Sequence, residues 1–215
     1  GEQGATNGLF SNYWREPDDE PQVGVTINGT RWPTAEHAFQ AEKFNPDKAF
    51  VDGSVDHKNE ARTRMLTASA DEARQFGMGR NLDGLHLTFT PQNRANWGRA
   101  RVEVMYNTVF AKFTQNEELA RALRSTDGCD LVEFMPPERR VPDVFWGAVE
   151  KKDGSTRGLN MLGRILMQVR NDIGAGRNSI DPAALATLQA LAGDIGDIRD
   201  PNSASHKKAC ETVWT

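Results

Sequence analysis

Residues 33–44 read PTAEHAFQAEKF. Wound as a helix, this stretch puts Glu36, Gln40 and Lys43 on one face, because spacings of four and three residues fall on neighbouring turns. A carboxylate can steady a developing positive charge or activate water, and a neutral amine can attack an electrophilic carbon. Glu36 and Lys43 stand about 10 Å apart along the helix axis, too far to pair tightly but far enough to flank a ligand. The helix dipole favours an ionised carboxylate in the first turn and a charged ammonium in the last. Glu36 is therefore expected to be comfortable as an anion. Lys43 must lose its water before it can act as a nucleophile. Taken alone, the pattern reads more readily as a solvated charged face.

Four other stretches carry residues of chemical interest. RANWGRAR (94–101) sets Trp97 among Arg94, Arg99 and Arg101, an aromatic plate beside guanidiniums that could stack a base and hold phosphate; a helix start with a half-buried tryptophan explains it equally simply. PDVFWG (142–147) holds Asp143 and Trp146 after prolines, where a carboxylate more often forms a turn. LFSNYW (9–14) places Ser11 and Asn12 between aromatics. GLNMLG (158–163) carries Asn160 and Gly163, the glycine allowing a close helix approach. No phosphate-binding loop, dinucleotide fingerprint, serine-hydrolase elbow or metalloprotease helix is present in the sequence.

These residues need elements to position them. VGVTINGTRW alternates Val23, Val25 and Ile27 and then turns at Asn28-Gly29, the signal of a type I′ hairpin. Thr34 is placed to cap a helix over 35–44, which Asn45-Pro46 stops. Ser69 and Glu72 stand in capping-box register before a helix ending at Gly77 as its C′ residue. Val102, Met105, Val109 and Phe113 recur at helical spacing over 98–113. Asn116 caps a short charged helix, and DLVEF (130–134) reads as a strand before the proline-broken loop 136–142. Leu159, Leu162, Leu166, Val169 and Ile173 form one helical stripe. Past Gly174 a second Ala/Leu helix begins at Asp181-Pro182, and a polar tail without period follows.

The chain has 215 residues, 38% of them hydrophobic and 26% charged, with a net charge of -4. That suffices for one sizeable core. A broad electrostatic grip on nucleic acid needs a basic surface, so any such contact must be local. No apolar run reaches the roughly 20 residues that span a bilayer, and the first residues lack the apolar core of a secretory signal. Cys129 and Cys210 sit in unrelated contexts, which suits a reducing compartment and an intracellular, cytoplasmic or nuclear, location. The four scattered histidines lack zinc spacing, so no metal and no cofactor is expected.

Taken in order, the blocks GLFSNYW, NGTRWPTAEHAFQAEKF, ANW, AKFTQNEELARALRST, LVEF, PDVFWG and GLNMLGRILMQVR resemble the NADAR (YbiA-like) superfamily from about Leu9 to Arg170. The resemblance implies a mainly α fold with a few short β-strands (α+β): a compact YbiA-like catalytic domain over 8–173, followed by a helical extension and tail over 174–215. It also implies cleavage of N-glycosidic bonds in ribosylated nitrogen compounds. One branch of the family acts on ribosylamino-pyrimidine phosphates of riboflavin biosynthesis. Another removes ADP-ribose from guanine in nucleic acid, a repair reaction associated with a lysine imine.

Carried onto this sequence, the resemblance gives Lys43, Glu36 and Asp143 as catalytic candidates. Phe10, Ser11, Asn12, Gln40, Phe44, Trp97, Trp146, Gly147 and Asn160 become candidates for substrate binding. The SNF block of the family reads Ser11-Asn12-Tyr13 here, and 136–142 lengthens the approach to Asp143. The extra loops and Arg94, Arg99 and Arg101 favour ADP-ribosylated guanine, in a nucleotide or nucleic acid, as substrate and partner, with ADP-ribose as product. A ribosylamino-pyrimidine phosphate is the alternative, and a silent ADP-ribose-binding module is a third reading. No membrane partner is expected.

Overall fold

The computed structural model describes residues 8–14, 24–135, 143–150 and 156–193. The loop 136–142 and the tail beyond 193 lie outside the described residues. Contacts divide the chain into two units, residues 1–123 and 124–215, a division that falls inside the expected 8–173 span. The fold is mainly helical with short antiparallel hairpins, as expected for an α+β chain.

The first unit opens with the predicted hairpin, β1 (Val25–Ile27) and β2 (Thr30–Trp32). Asn28 and Gly29 take φ of 51° and 76°, the left-handed pair that a type I′ turn requires. The outer edge of β1 is closed by an amide: Gln115 Nε2 donates to the Thr26 carbonyl at 2.7 Å, and its Oε1 accepts the Thr26 N–H at 2.8 Å.

Helix α1 (Ala35–Ala41) follows, capped by Thr34. Its alanines at 35, 38 and 41 let neighbours approach on several sides, and every residue in it is buried. The predicted helix over 35–44 continues as a tighter 3-10 turn, Glu42–Phe44. Helix α2 (Val55–Met65) was hidden from periodicity, because only Lys58, Ala61 and Met65 of its eleven residues are buried. Helix α3 (Ala70–Gly77) starts at the predicted Ser69–Glu72 capping box. Its end differs from expectation: Gly77 is the last helical residue, and Gly79, at φ 78°, takes the left-handed position. Helix α4 (Pro91–Thr114) begins earlier than the apolar stripe, at a Thr90 capping box with Pro91 at its first position. Helix α5 (Glu117–Arg124) is capped by Asn116, whose Oδ1 accepts the N–H of Glu118 and Leu119.

Helices α2, α3 and α4 all pack on α1. Trp32, Ala38, Ala41, Phe44, Val51, Ala61, Met65 and Ala73 form a dry cluster there. Helix α1 is thus a central strut of its unit.

In the second unit the expected strand over 130–134 is reduced to a single bridge, Phe134 to Ala148. A small hairpin, β3 (Val149–Glu150) with β4 (Thr156–Arg157), precedes the predicted amphipathic helix α6 (Met161–Gly174). Helix α7 (Pro182–Gly193) packs on α6, and its start is capped by Asp181, as expected. Among the described residues no helix is long and apolar enough to cross a membrane.

Candidate active site

The face of α1 that the sequence suggested would be wet is dry. Glu36 and Gln40 are each 6% exposed and Lys43 is 9% exposed. A charged face in water costs little to maintain. A buried carboxylate, amide and amine must be held by specific partners.

Gln40 Nε2 donates to Glu36 Oε1 at 2.8 Å. Burial pushes the Glu36 carboxyl up from the ordinary carboxylate range, against the opposing pull of the Gln40 hydrogen bond and the Lys43 charge. Desolvation therefore overrides the helix dipole here, and Glu36 is not the comfortable anion expected from its place in the first turn. Lys43 Nζ donates to the Gly77 carbonyl at 2.8 Å and lies 5.0 Å from the centre of the Trp97 ring and 6.0 Å from that of Phe39. The 3-10 turn swings Lys43 off the regular helical path towards the end of α3. The water-stripping that a nucleophilic lysine needs is thus built in. The carbonyl and the indole face favour the ammonium form, so a free amine must arise by passing its proton to a neighbour.

Gly77 is what lets α3 come so close. A Cβ there would meet Gln40 Oε1 at 1.8 Å. His37, beside Glu36 in sequence, serves the scaffold. Its Nε2 must donate to the Ala68 carbonyl at 3.0 Å, which leaves Nδ1 to accept the Thr34 hydroxyl at 2.8 Å. This fixes α1 to the segment that enters α3.

Residues 8–14 lie over the start of α1. The Asn12 carbonyl accepts the Glu36 N–H at 2.9 Å. The Asn12 side chain is 7% exposed and donates weakly to Met105 Sδ at 3.3 Å. Two buried acceptors, Asn12 Oδ1 and Gln40 Oε1, have no hydrogen-bond partner among the described residues. Tyr13 stands nearby, its hydroxyl pushed up to about 12 by burial and by the Glu36 charge, with Arg74 and Asp71 alongside. Arg74 is itself held by Asp71 at 2.9 Å. Ser11 turns its Oγ to the Tyr13 N–H at 3.2 Å, and Phe10 leans on Phe113 with ring centres 6.1 Å apart.

Three expected binding residues do other work. Trp97 is wedged between Phe39 and Phe50, at ring distances of 5.1 and 5.3 Å, and is buried. It is a seat for Lys43 rather than an open plate for a base. Phe44 is fully buried, edge-on to Phe89 in the apolar cluster, and offers no face to a ligand. Asn160 is fully buried in the left-handed conformation (φ 46°). Its Oδ1 accepts the Glu133 N–H at 2.8 Å and its Nδ2 donates to the Leu131 carbonyl at 2.7 Å, so it clamps 131–133 to the start of α6.

Asp143, Trp146, Gly147 and Asn160 all belong to the second unit. Asp143 is exposed, and its Oδ1 accepts the N–H of Phe145 and Trp146, the turn role open to a loop carboxylate. Trp146 is half-buried and meets Phe145 edge-on at 4.8 Å. A side chain at Gly147 would meet the Glu133 carbonyl at 2.5 Å, and one at Gly163 would meet the Leu131 carbonyl at 2.1 Å; both glycines admit close backbone approach. On α4, Arg94 is exposed, Arg99 is exposed and donates to Asn96 Oδ1, and Arg101 is partly buried.

Sequence reasoning named Gly77 only as a helix end and Tyr13 only within the SNF-like block, and it passed over Arg74 and the scaffold role of His37. The capping box located α3 but held no sign of what its last turn would touch.

The chain matches the NADAR domain over residues 1–174. It is 34% identical over 170 residues to the chloroplastic riboflavin biosynthesis protein PYRR of Zea mays, covering 77% of this chain but only 23% of that protein. It is 31% identical over 166 residues to the N-glycosidase YbiA of Shigella flexneri, covering 77% of this chain and 81% of the relative. The NMR structure of the E. coli protein YbiA is similar with a TM-score of 0.52 at 28% identity, covering 79% of each chain.

Proposed function

The chain belongs to the NADAR domain family, and from that premise we propose that it is an N-glycosidase, hydrolysing the C1′–N bond of a ribosylated amine. The observation that carries the reading is the buried Glu36–Gln40–Lys43 face with two unpartnered acceptors beside it. A surface or a plain core has no use for such a set.

Breaking the C1′–N bond builds positive charge on the ribose and negative charge on the leaving nitrogen. A carboxyl whose hold on its proton is strengthened by burial can protonate that nitrogen, and as a carboxylate it then takes a proton from the attacking water. Lys43 supplies a second route. Passing a proton from its ammonium towards Glu36 leaves a neutral acid and a neutral amine, the pairing a dry site favours. The amine adds to C1′ of the opened sugar, the original amine leaves with a proton from Glu36, and water releases the sugar from the resulting imine.

The finer reading is ADP-ribose on guanine. It is supported by Arg94 and Arg101, two helical turns apart on α4 on the edge that carries Trp97. The buried Trp97 and the Arg99–Asn96 bond remove part of the argument for it. A ribosylamino-pyrimidine phosphate is supported by the naming of the maize relative for riboflavin biosynthesis. Product mass spectrometry on both substrates, side by side, decides: unmodified guanosine with ADP-ribose supports the first, free pyrimidine amine with ribose phosphate supports the second. Calorimetric binding of ADP-ribose without release of either amine product would instead mark a binding module.

Gly77→Ala gives a further check. Gly77 ends its helix, so the propensity gain is small, and displacing one buried hydrogen bond costs roughly 1–3 kcal/mol; the protein should still melt cooperatively, at a somewhat lower temperature. The alanine Cβ displaces the Gln40 amide, and the lost bond to Glu36 should lower kcat/KM by roughly 10- to 100-fold. An unchanged rate would show that Gln40 need not hold Glu36.

A further inference from the structure

Lys112, on α4, has no place in that chemistry, yet it is 5% exposed and burial pushes its ammonium down to about 7. Holding an amine there is costly, so its contacts matter. Its Nζ donates to the Leu9 carbonyl at 2.6 Å and to the Ser11 carbonyl at 2.8 Å, and lies 5.7 Å from the Trp14 ring centre and 5.1 Å from that of Phe113. All but the last contact fall on residues 8–14. Among the described residues, the backbone bonds within the segment are two turn bonds, Ser11 N–H to Gly8 and Trp14 N–H to Ser11. Turn bonds fix local shape but do not fix the segment to the body of the protein.

What the segment delivers to the site is specific. Its Asn12 carbonyl accepts the Glu36 N–H, its Asn12 Oδ1 is one of the two buried, unpartnered acceptors, and its Tyr13 hydroxyl is near enough to feel the Glu36 carboxyl. Ser11, whose carbonyl Lys112 grips, is the immediate neighbour of Asn12.

We propose that Lys112 is a positioning residue: by drawing the carbonyls of Leu9 and Ser11 onto α4, it sets Asn12 and Tyr13 against Glu36. The proposal rests on the reading of the Glu36 face as an N-glycosidase site. Its structural half can be tested without that reading.

The test pairs hydrogen exchange with a double-mutant cycle. In Lys112→Met the stem still packs but the two donors are gone. The Glu36 amide should exchange at least about tenfold faster while amides in the middle of α4 keep their protection. Lys112→Gln, which keeps two N–H donors, should recover part of that protection, and it carries the test should Lys112→Met not fold. In turnover, Lys112→Met should lower kcat/KM by about tenfold or more, and adding Asn12→Ala should cost little further, because the two act through one segment. Unchanged Glu36 exchange in a folded Lys112→Met protein would overturn the proposal, as would losses that simply multiply. If the wild type cleaves neither substrate, the enzymatic reading fails while the exchange result still stands or falls by itself.

Discussion

Lys43→Met should lower turnover by about a thousandfold or more while leaving the protein folded. Methionine retains the packing against Trp97 and Phe39 and removes only the amine and its bond to the Gly77 carbonyl. One lost buried hydrogen bond costs roughly 1–3 kcal/mol of stability, which a cooperative melt will register as a shift rather than a collapse. Borohydride added during turnover should leave a sugar adduct on the wild-type protein, mapped to Lys43 by peptide mass, and none on Lys43→Met. If turnover is lost in the variant but no adduct ever forms in the wild type, Lys43 acts only through its charge. Near-normal turnover in Lys43→Met would remove it from the mechanism and leave direct hydrolysis with Glu36.

Glu36→Gln should lower turnover by about 10²- to 10⁴-fold, the range for a general acid–base group, and should make the protein more stable at neutral pH. The two effects share one cause. Burial raises the folded-state pKa of Glu36 above its unfolded value. The folded protein then binds the proton more tightly, so the group's stabilising contribution is full below the unfolded pKa and is lost as pH rises through the folded one. The wild type should therefore lose stability with rising pH over this window. Glutamine cannot ionise, keeps a carbonyl oxygen for the Gln40 amide, and should flatten that part of the profile. Thermal melts across pH 4 to 8 check the point: the gain of Glu36→Gln should be largest at the upper end and vanish at the lower. A variant uniformly less stable would mean that Glu36 is structural and its burial unstrained.

Much of the frame was legible before the fold was known. Asn28-Gly29, Thr34, the Ser69–Glu72 pair and Asp181-Pro182 each act through bonds to residues close in sequence, and each does what the local pattern implied. The spacing of Glu36, Gln40 and Lys43 likewise told which side chains share a face. It could not tell whether that face was wet, because burial is decided by α3 and α4, which arrive from 29 or more positions later in the chain. The buried state of α1 follows from the alanines between its polar residues, a signal that periodicity does not score. For Trp97, Phe44 and Asn160 the residue types fitted a ligand contact and an internal contact equally well. Only the partners they meet separate the two. Helix α2 was hidden for the opposite reason: its exposed polar residues leave almost no stripe to read.

The most direct test of the central claim is release of the unmodified amine from its ribosylated form, followed by mass spectrometry, for the wild type beside Glu36→Gln and Lys43→Met. The wild type should liberate guanosine and ADP-ribose in equal amounts from ADP-ribosyl-guanosine, or the pyrimidine amine and ribose phosphate in equal amounts from the ribosylamino-pyrimidine phosphate, and both variants should fall to near background while melting cooperatively. A folded wild type that cleaves neither substrate, or variants that cleave as fast as the wild type, would contradict it.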